Sequence, residues 1–378
     1  MFGNRAKIAC GLKYFWMNFL GPNTRVRVLR WLSRADGLRT TVYFNRAVGD
    51  FRKVLLILPE RSFDLILVQK SIVALKQHRD NMTVDVIAET GSKDIIRSNP
   101  YIDGGVFYRA SEFYYNHPSF RELLYTLKGR RYDACFLFNR DENPLHLFLM
   151  AHSGAALRVG FTGGDLSPFI NLSVRPRNGT VYEGDRYESM FRSLGVKITR
   201  SRLKWNIAKN MEKDVEALLV QAGYKTGKPL IGIDISPSMS GREFPPDLLK
   251  GLIREAAGMT NAEIILFHSR GRDAGTVKNP SFSGRNVVNI PEDSIAFASA
   301  FVCRCDLIIA LNNLIYQLAV MMDRPAVGLF ESAEVGRWAR IEEGRFESVC
   351  ASKLKGIELK EIVEKARKAL TPAPAVTE

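Results

Sequence analysis

The chain has 378 residues, enough for two or three domains of roughly 150 residues each. Its 25% charged and 46% hydrophobic residues are those of a folded globular protein and exclude collagen-like, wholly disordered and disulfide-dense classes. The formal charge of +14 is uneven: through Lys53 there are eleven basic residues against two acidic ones, Asp36 and Asp50, a net +9 in the first seventh of the sequence.

A basic block of this kind attracts nucleic acid, anionic lipid or an acidic substrate. Its most apolar run, 8–20, is broken by Lys13 and Asn18, so it is too short and too polar to span a bilayer. It also lacks the small-residue cleavage site of a secretory signal. Phe2, Leu12, Phe15, Trp16, Phe19 and Leu20, with Arg5, Lys7 and Lys13 among them, read as an interfacial anchor on anionic lipid. The alternative is that these aromatics pack onto the first lobe. No nucleic-acid recognition motif accompanies the charge, so no nucleic-acid partner is expected. The five cysteines, Cys10, Cys135, Cys303, Cys305 and Cys350, are odd in number and form no C-x-x-C pair, which reads as free thiols in a reducing compartment. Cys303 and Cys305 have no second half-site, so no metal site is expected.

From Lys53 onward the pattern becomes repetitive. Short apolar runs at 53–58 (KVLLIL), 84–89, 105–108, 134–138 and 158–161 have the length and β-branched content of strands buried on both faces. Helical stretches at 64–76, 120–128 and 146–153 lie between them. The Gly-, Pro-, Asn- and Ser-rich stretch 162–180 reads as loops, followed by helices at 185–194 and 211–222. A second unit then repeats the logic. Strands are expected at 230–235, 263–268, 286–290, 307–311 and, last, 326–330. Helices are expected at 246–257, 294–304, 315–322 and 357–370, and the proline-containing tail 371–378 reads as disordered. Alternating strands and helices imply parallel, doubly wound sheets. The expected architecture is α/β, two Rossmann-like domains facing a cleft. Its expected division is an extension at 1–52, a first lobe at 53–205, a second lobe at 206–350, and a closing helix and tail at 351–378. In such sheets ligands sit at the carboxyl ends of the strands, so the cleft is the expected active site.

The order of short motifs from Lys53 to Trp338 resembles glycosyltransferase family 9, the ADP-heptose:lipopolysaccharide heptosyltransferases. The segment KVLLILPERSFDLILVQKSIVALK fits the family's opening strand, aspartate-bearing loop and helix without a gap. Ser98-Asn99-Pro100-Tyr101-Ile102-Asp103, Arg131-Tyr132-Asp133 and Arg158-Val159-Gly160-Phe161 follow in the family's order. In the second half, Ser240-Gly241-Arg242-Glu243-Phe244-Pro245 resembles the loop that usually carries a lysine. Arg304-Cys305-Asp306-Leu307, Pro325-Ala326-Val327-Gly328-Leu329-Phe330 and Gly336-Arg337-Trp338 match the last strand-helix-strand unit. The resemblance implies a GT-B fold with an acceptor lobe first and a donor lobe second, the closing helix crossing back to brace the first lobe. It implies an inverting, metal-independent transfer of a sugar, a heptose, from a nucleotide-diphosphate donor, ADP-linked, onto a lipid-linked glycan of lipopolysaccharide type. No cofactor is implied beyond that donor substrate. The implied location is the cytoplasm, at the inner face of the membrane.

Residue by residue, Asp64 falls on the family's aspartate and is the expected general base, with Glu60 in the same loop as a second candidate. An acid at the start of a helix also complements the helix dipole without any catalytic role. Arg242 stands where the family has its phosphate-binding lysine; arginine offers charge and a bidentate fork but is not equivalent, and a surface arginine is the plain alternative. The family's aspartate, hydroxylated residue, glycine and histidine are replaced by Asn312, Asn313, Leu314 and Gln317. The three polar ones are expected to touch the donor sugar or phosphates. Arg270, in the cluster after the 263–268 strand, is a further candidate for the phosphates. The degenerate donor motif leaves a second possibility open, a GT-B scaffold that has lost catalysis and binds a glycan or a protein.

Overall fold

In this computed structural model residues 51–371 are described, except 79–80, 114–116, 140–143, 162–165, 167, 176–181, 199–204, 226, 259–261, 270–274, 279–285 and 291–293. The interfacial-anchor expectation, Cys10 and Arg270 therefore lie outside the described residues.

The first lobe runs β1 (Lys53–Ile57), α1 (Ser62–His78), β2 (Thr83–Glu89), α2 (Lys93–Ser98), β3 (Gly104–Tyr108), α3 (Pro118–Arg130), β4 (Ala134–Leu137), α4 (Pro144–His152), β5 (Leu157–Phe161), β6 (Leu172–Val174) and α5 (Glu183–Arg192). After α6 (Lys209–Gln221), the second runs β7 (Leu230–Asp234), α7 (Pro246–Ala257), β8 (Glu263–Ser269), β9 (Gly275–Lys278), β10 (Asn286–Ile290), α8 (Ile295–Arg304), β11 (Leu307–Leu311), α9 (Leu314–Met321), β12 (Ala326–Glu331), α10 (Ser332–Trp338), β13 (Phe346–Ala351) and α11 (Leu359–Leu370).

The first sheet has the order β3-β2-β1-β4-β5-β6 and the second β13-β12-β11-β7-β8-β10-β9. Every pairing is parallel except β9 against β10. Parallel strands covered by helices on both faces are apolar throughout, which is why β5, β7, β11 and β12 are buried at every position. Each sheet reverses its winding once, between β1 and β4 and between β7 and β11. The loops after those strands open crevices at the carboxyl ends.

The two lobes share a core. Val54 and Leu56, helices α1 and α5, then α8, α9, Ile308 and Ala310 form one continuous apolar cluster, with α1 packed directly on α9. The outer face of the first sheet packs separately on α3 and α4, and that of the second on α7 and α11.

Three strands depart from the sequence reading. β6 lies within the stretch read as loops. Among the described residues its three residues pair only with β5, an edge position too short to show a period. β9 is antiparallel and four residues long, and β13 adds an edge strand beyond β12, which is therefore not the last. The closing helix does not brace the first lobe. Its apolar face, Ile362, Val363, Ala366 and Ala369, joins the outer cluster of the second sheet against α7.

Candidate active site

Asp64 is the third residue of α1, directly after the loop that leaves β1. It is half-buried on the wall of a cleft of about 190 Å³ that lies between the lobes. From the first lobe Pro59, Glu60, Phe63 and Asn139 line this cleft; from the second, Met239 and Trp338. The phenol of Tyr187 donates to Asp64 Oδ1 at 2.9 Å. Tyr187 is itself fully buried on α5, with Phe138 and Phe161 against its ring at 5.9 and 6.2 Å. The carboxylate is thus held through one oxygen by a donor that packing has immobilised.

Glu60 lies on the same cleft and is held from below. Tyr108 Oη donates to Glu60 Oε1 at 3.2 Å and also meets His146 Nε2 at 3.2 Å, while Asn139 Nδ2 reaches His146 Nδ1 at 3.0 Å. His146 is fully buried, and burial holds its pKa down to about 3. The ring is therefore neutral. With Nδ1 accepting from Asn139, its proton resides on Nε2 and goes to Tyr108, whose own proton goes to Glu60. Burial and the Glu60 charge raise the Tyr108 phenol well above its ordinary value, so it stays a donor.

On the second lobe the candidate residues sit at the β7–β11 switch point. Arg242 ends a tight turn in which Ser238 N donates to Arg242 O at 2.8 Å and Arg242 N to Ser238 Oγ at 3.1 Å. Gly241 supplies the left-handed corner at φ +75°. Met239 N of this turn donates to Asn312 O at 2.8 Å. The Arg242 guanidinium pairs with Glu331 at the end of β12. Asn312 is buried, and among the described residues its Oδ1 has no hydrogen-bond partner. Asn313 caps α9: its Oδ1 accepts from Ile315 N and Tyr316 N at 3.1 and 3.3 Å, and its Nδ2 donates to Asp234 Oδ2 at 2.6 Å. Asp234 is fully buried and also accepts from Ser236 N and Oγ at 2.9 and 2.5 Å. Burial pushes its carboxyl up to about 6 despite these bonds.

Gln317 faces the other lobe. Its Oε1 accepts from Tyr182 Oη at 2.7 Å and its Nε2 donates to Trp338 O at 2.8 Å, so it ties α9 to the start of α5 and the end of α10. Around it Arg337 reaches Glu183 at 3.0 Å and Arg340 reaches Asp185 at 2.7 Å. Trp338 meets Phe63 edge-on at 4.9 Å. These contacts set the second lobe against the loop that carries Asp64.

Asp64 and Glu60 are thus brought together on one cleft, with Met239 bringing the Arg242 turn to its far wall. Asn312 and Asn313 sit behind that turn. Gln317 is occupied between the lobes, and Asn313 in capping. Sequence reasoning missed Tyr187, Tyr108, His146, Asp234, Tyr182 and Glu331. The first five carry no local signal, because each has a partner between 38 and 135 positions away that only the fold brings near. Glu331 was legible only as the residue after a predicted strand. Among the described residues no cluster of three or more His, Cys, Asp or Glu is arranged to hold a metal ion, and Cys303 and Cys305 are free thiols.

Two sheets of this topology facing across such a cleft define a GT-B fold. No protein-family model matches the sequence, and no curated protein matches it. Solved structures do. A glycosyl transferase family 9 protein from Veillonella parvula superposes with a TM-score of 0.68 at 14% identity, over 85% of this chain and 97% of that one. E. coli ADP-heptose lps heptosyltransferase II gives 0.61 at 15% identity, over 84% and 98%. E. coli heptosyltransferase WaaC with ADP gives 0.61 at 13%, over 82% and 98%. The chain's structural likeness is to glycosyltransferase family 9, as a divergent sequence, and at these identities what is shared is the fold.

Proposed function

We propose that this chain is a glycosyltransferase of the family 9 kind, transferring a sugar from a nucleotide-diphosphate donor to a glycan acceptor. The observation that carries the reading is Asp64, placed on the interlobe cleft and held by Tyr187 Oη. In the proposed reaction Asp64 accepts the proton of an acceptor hydroxyl as that oxygen attacks the anomeric carbon. The bond from that carbon to the phosphate oxygen breaks on the opposite face, inverting the centre. The nucleoside diphosphate leaves with its new negative charge opposite Arg242. Trp338 and Phe63 exclude water on one side of the cleft.

The finer assignments follow the family likeness. The donor is an ADP-linked heptose, as the bound ligand of one structural neighbour suggests, that protein being solved with ADP-2-deoxy-2-fluoro heptose. The acceptor is a lipid-linked, lipopolysaccharide-type glycan, met at the inner membrane face through residues 1–52. Among the described residues no helix is long and apolar enough to cross a membrane. Asn312 is assigned to the donor side, and Arg270, outside the described residues, is assigned to the phosphates on the family likeness alone.

A second reading, a GT-B scaffold that binds a glycan or protein without catalysis, is favoured by one observation: Asn313 fills the N-terminus of α9 with its own side chain. Calorimetric titration with ADP, UDP, GDP and their sugars, beside Arg242→Ala, separates the two. Micromolar binding of one nucleotide, lost in the variant, upholds the transferase. Absence of binding by all of them upholds the scaffold.

A further inference from the structure

The donor wall holds two anion-binding elements, and the chain's own side chains occupy both. The first is the N-terminus of α9, where Asn313 Oδ1 accepts from Ile315 N and Tyr316 N, two of the amide groups a phosphate would otherwise use. Behind it lies the buried carboxyl of Asp234, 2.6 Å from Asn313 Nδ2. That end is closed to an anion. The second is Arg242, whose guanidinium, about half exposed, rests on Glu331, only 11% exposed.

We infer that Glu331 is an internal stand-in for the diphosphate: it holds Arg242 until a nucleoside diphosphate displaces it, and so sets how tightly and how selectively the donor site binds nucleotides. This rests on the donor-site reading above.

Three features make the exchange workable. Glu331 keeps partners when Arg242 leaves. It is the N-cap of α10, its carboxylate accepts from the backbone of Glu334, and Glu334 returns a contact to Glu331 N in a reciprocal capping box. The carboxylate is therefore not stranded as an unpaired buried charge, which would otherwise forbid the swap. Arg242 can swing without its backbone moving, because the turn is fixed by the Ser238–Arg242 bonds, by Met239 N on Asn312 O and by the left-handed Gly241. Finally, Asn312 Oδ1, behind the same turn, is buried with no partner among the described residues, an acceptor left unsatisfied beside the site. A ligand competing with a carboxylate for a fork-shaped cation gains from added negative charge, so the more highly charged nucleoside diphosphate displaces Glu331 more readily than a monophosphate.

The test is calorimetry of ADP, UDP, GDP and AMP with the full chain, Glu331→Gln, Arg242→Ala and Glu243→Gln. The last removes the same charge from the exposed neighbour of Arg242 as a control for general electrostatics. The expected result is that Glu331→Gln binds the preferred diphosphate about fivefold or more tighter than wild type. AMP should gain proportionally more, Glu243→Gln should change little, and Arg242→Ala should lose binding. Wild-type binding that is unchanged in Glu331→Gln, or raised equally in Glu243→Gln, overturns the inference and leaves the donor reading standing. Absence of nucleotide binding in wild type and Glu331→Gln alike overturns the donor reading and the inference with it. If circular dichroism shows Glu331→Gln unfolded, Glu331→Ser is titrated under the same criteria.

Discussion

Tyr187, 123 positions after Asp64 in the chain, places its hydroxyl 2.9 Å from Asp64 Oδ1 and fixes the proposed base from behind. Replacing Asp64 with Asn keeps the side chain's shape and removes the base. Turnover should fall by about 10²- to 10⁴-fold, with little change in nucleotide affinity. Tyr187→Phe keeps the buried ring and removes only the donor, so kcat should fall by about tenfold with the thermal midpoint almost unmoved. Initial rates with the donor identified by calorimetry check both. Full activity in Asp64→Asn would remove the base assignment and turn attention to Glu60.

Asp234 and His146 should give opposed pH dependences of stability. Burial holds the Asp234 carboxyl at about 6, above its ordinary 3.8, so its contribution is complete at acid pH and is lost as pH rises through 6. Burial holds His146 at about 3, below its ordinary 6.5, so its contribution is complete at neutral pH and is lost as pH falls below 6.5 toward 3. Between pH 4 and 6 the two slopes, each up to about 1.4 kcal/mol per pH unit, work against each other. Asp234→Asn should therefore lose stability more steeply on acidification than wild type, and His146→Gln less steeply. Urea unfolding at pH 4, 5, 6 and 7 measures this; parallel curves for wild type and both variants would contradict it.

Gln317 joins Tyr182 and the Trp338 carbonyl at 2.7 and 2.8 Å in a fully buried position. Gln317→Leu preserves approximate volume and takes from the half-buried Tyr182 phenol and Trp338 carbonyl the partner they have in Gln317. The expected cost is about 1–3 kcal/mol by chemical denaturation. Small-angle scattering should also show the lobes further apart on average. An unchanged midpoint and radius of gyration would mean the apolar contact of α1 on α9 suffices to seat the lobes.

Gly328, mid-strand in β12, has no room for a methyl group: a Cβ there would run into the rings of Phe330 and Tyr316. β12 is paired on both sides, so the strand cannot shift to make space. Gly328→Ala should destabilise by about 1–3 kcal/mol, read from the denaturation midpoint. A neutral effect would show that Phe330 can leave its place against Tyr316.

The two-lobed α/β architecture and most of its strands were legible in the sequence. A fully buried parallel strand must be apolar at every position, and the segments 53–58, 307–311 and 326–330 carry that constraint locally. Asp64 was legible for a similar reason, since a short loop between an apolar strand and a helix fixes its place at the carboxyl end of β1. Three of the four edge strands escaped notice because an edge strand needs only one pairing: β6 is three residues long, β9 four, and β13 is not uniformly buried. The side of the molecule on which α11 packs was decided only in three dimensions, because an amphipathic stripe fits any complementary apolar face. The roles of the donor-side residues were decided there too. Arg242, Asn313 and Gln317 looked alike as polar groups offered to a ligand. Tertiary structure gave them to Glu331, to the end of α9 and to the other lobe, because a buried or half-buried polar group is stable only where packing brings it a partner.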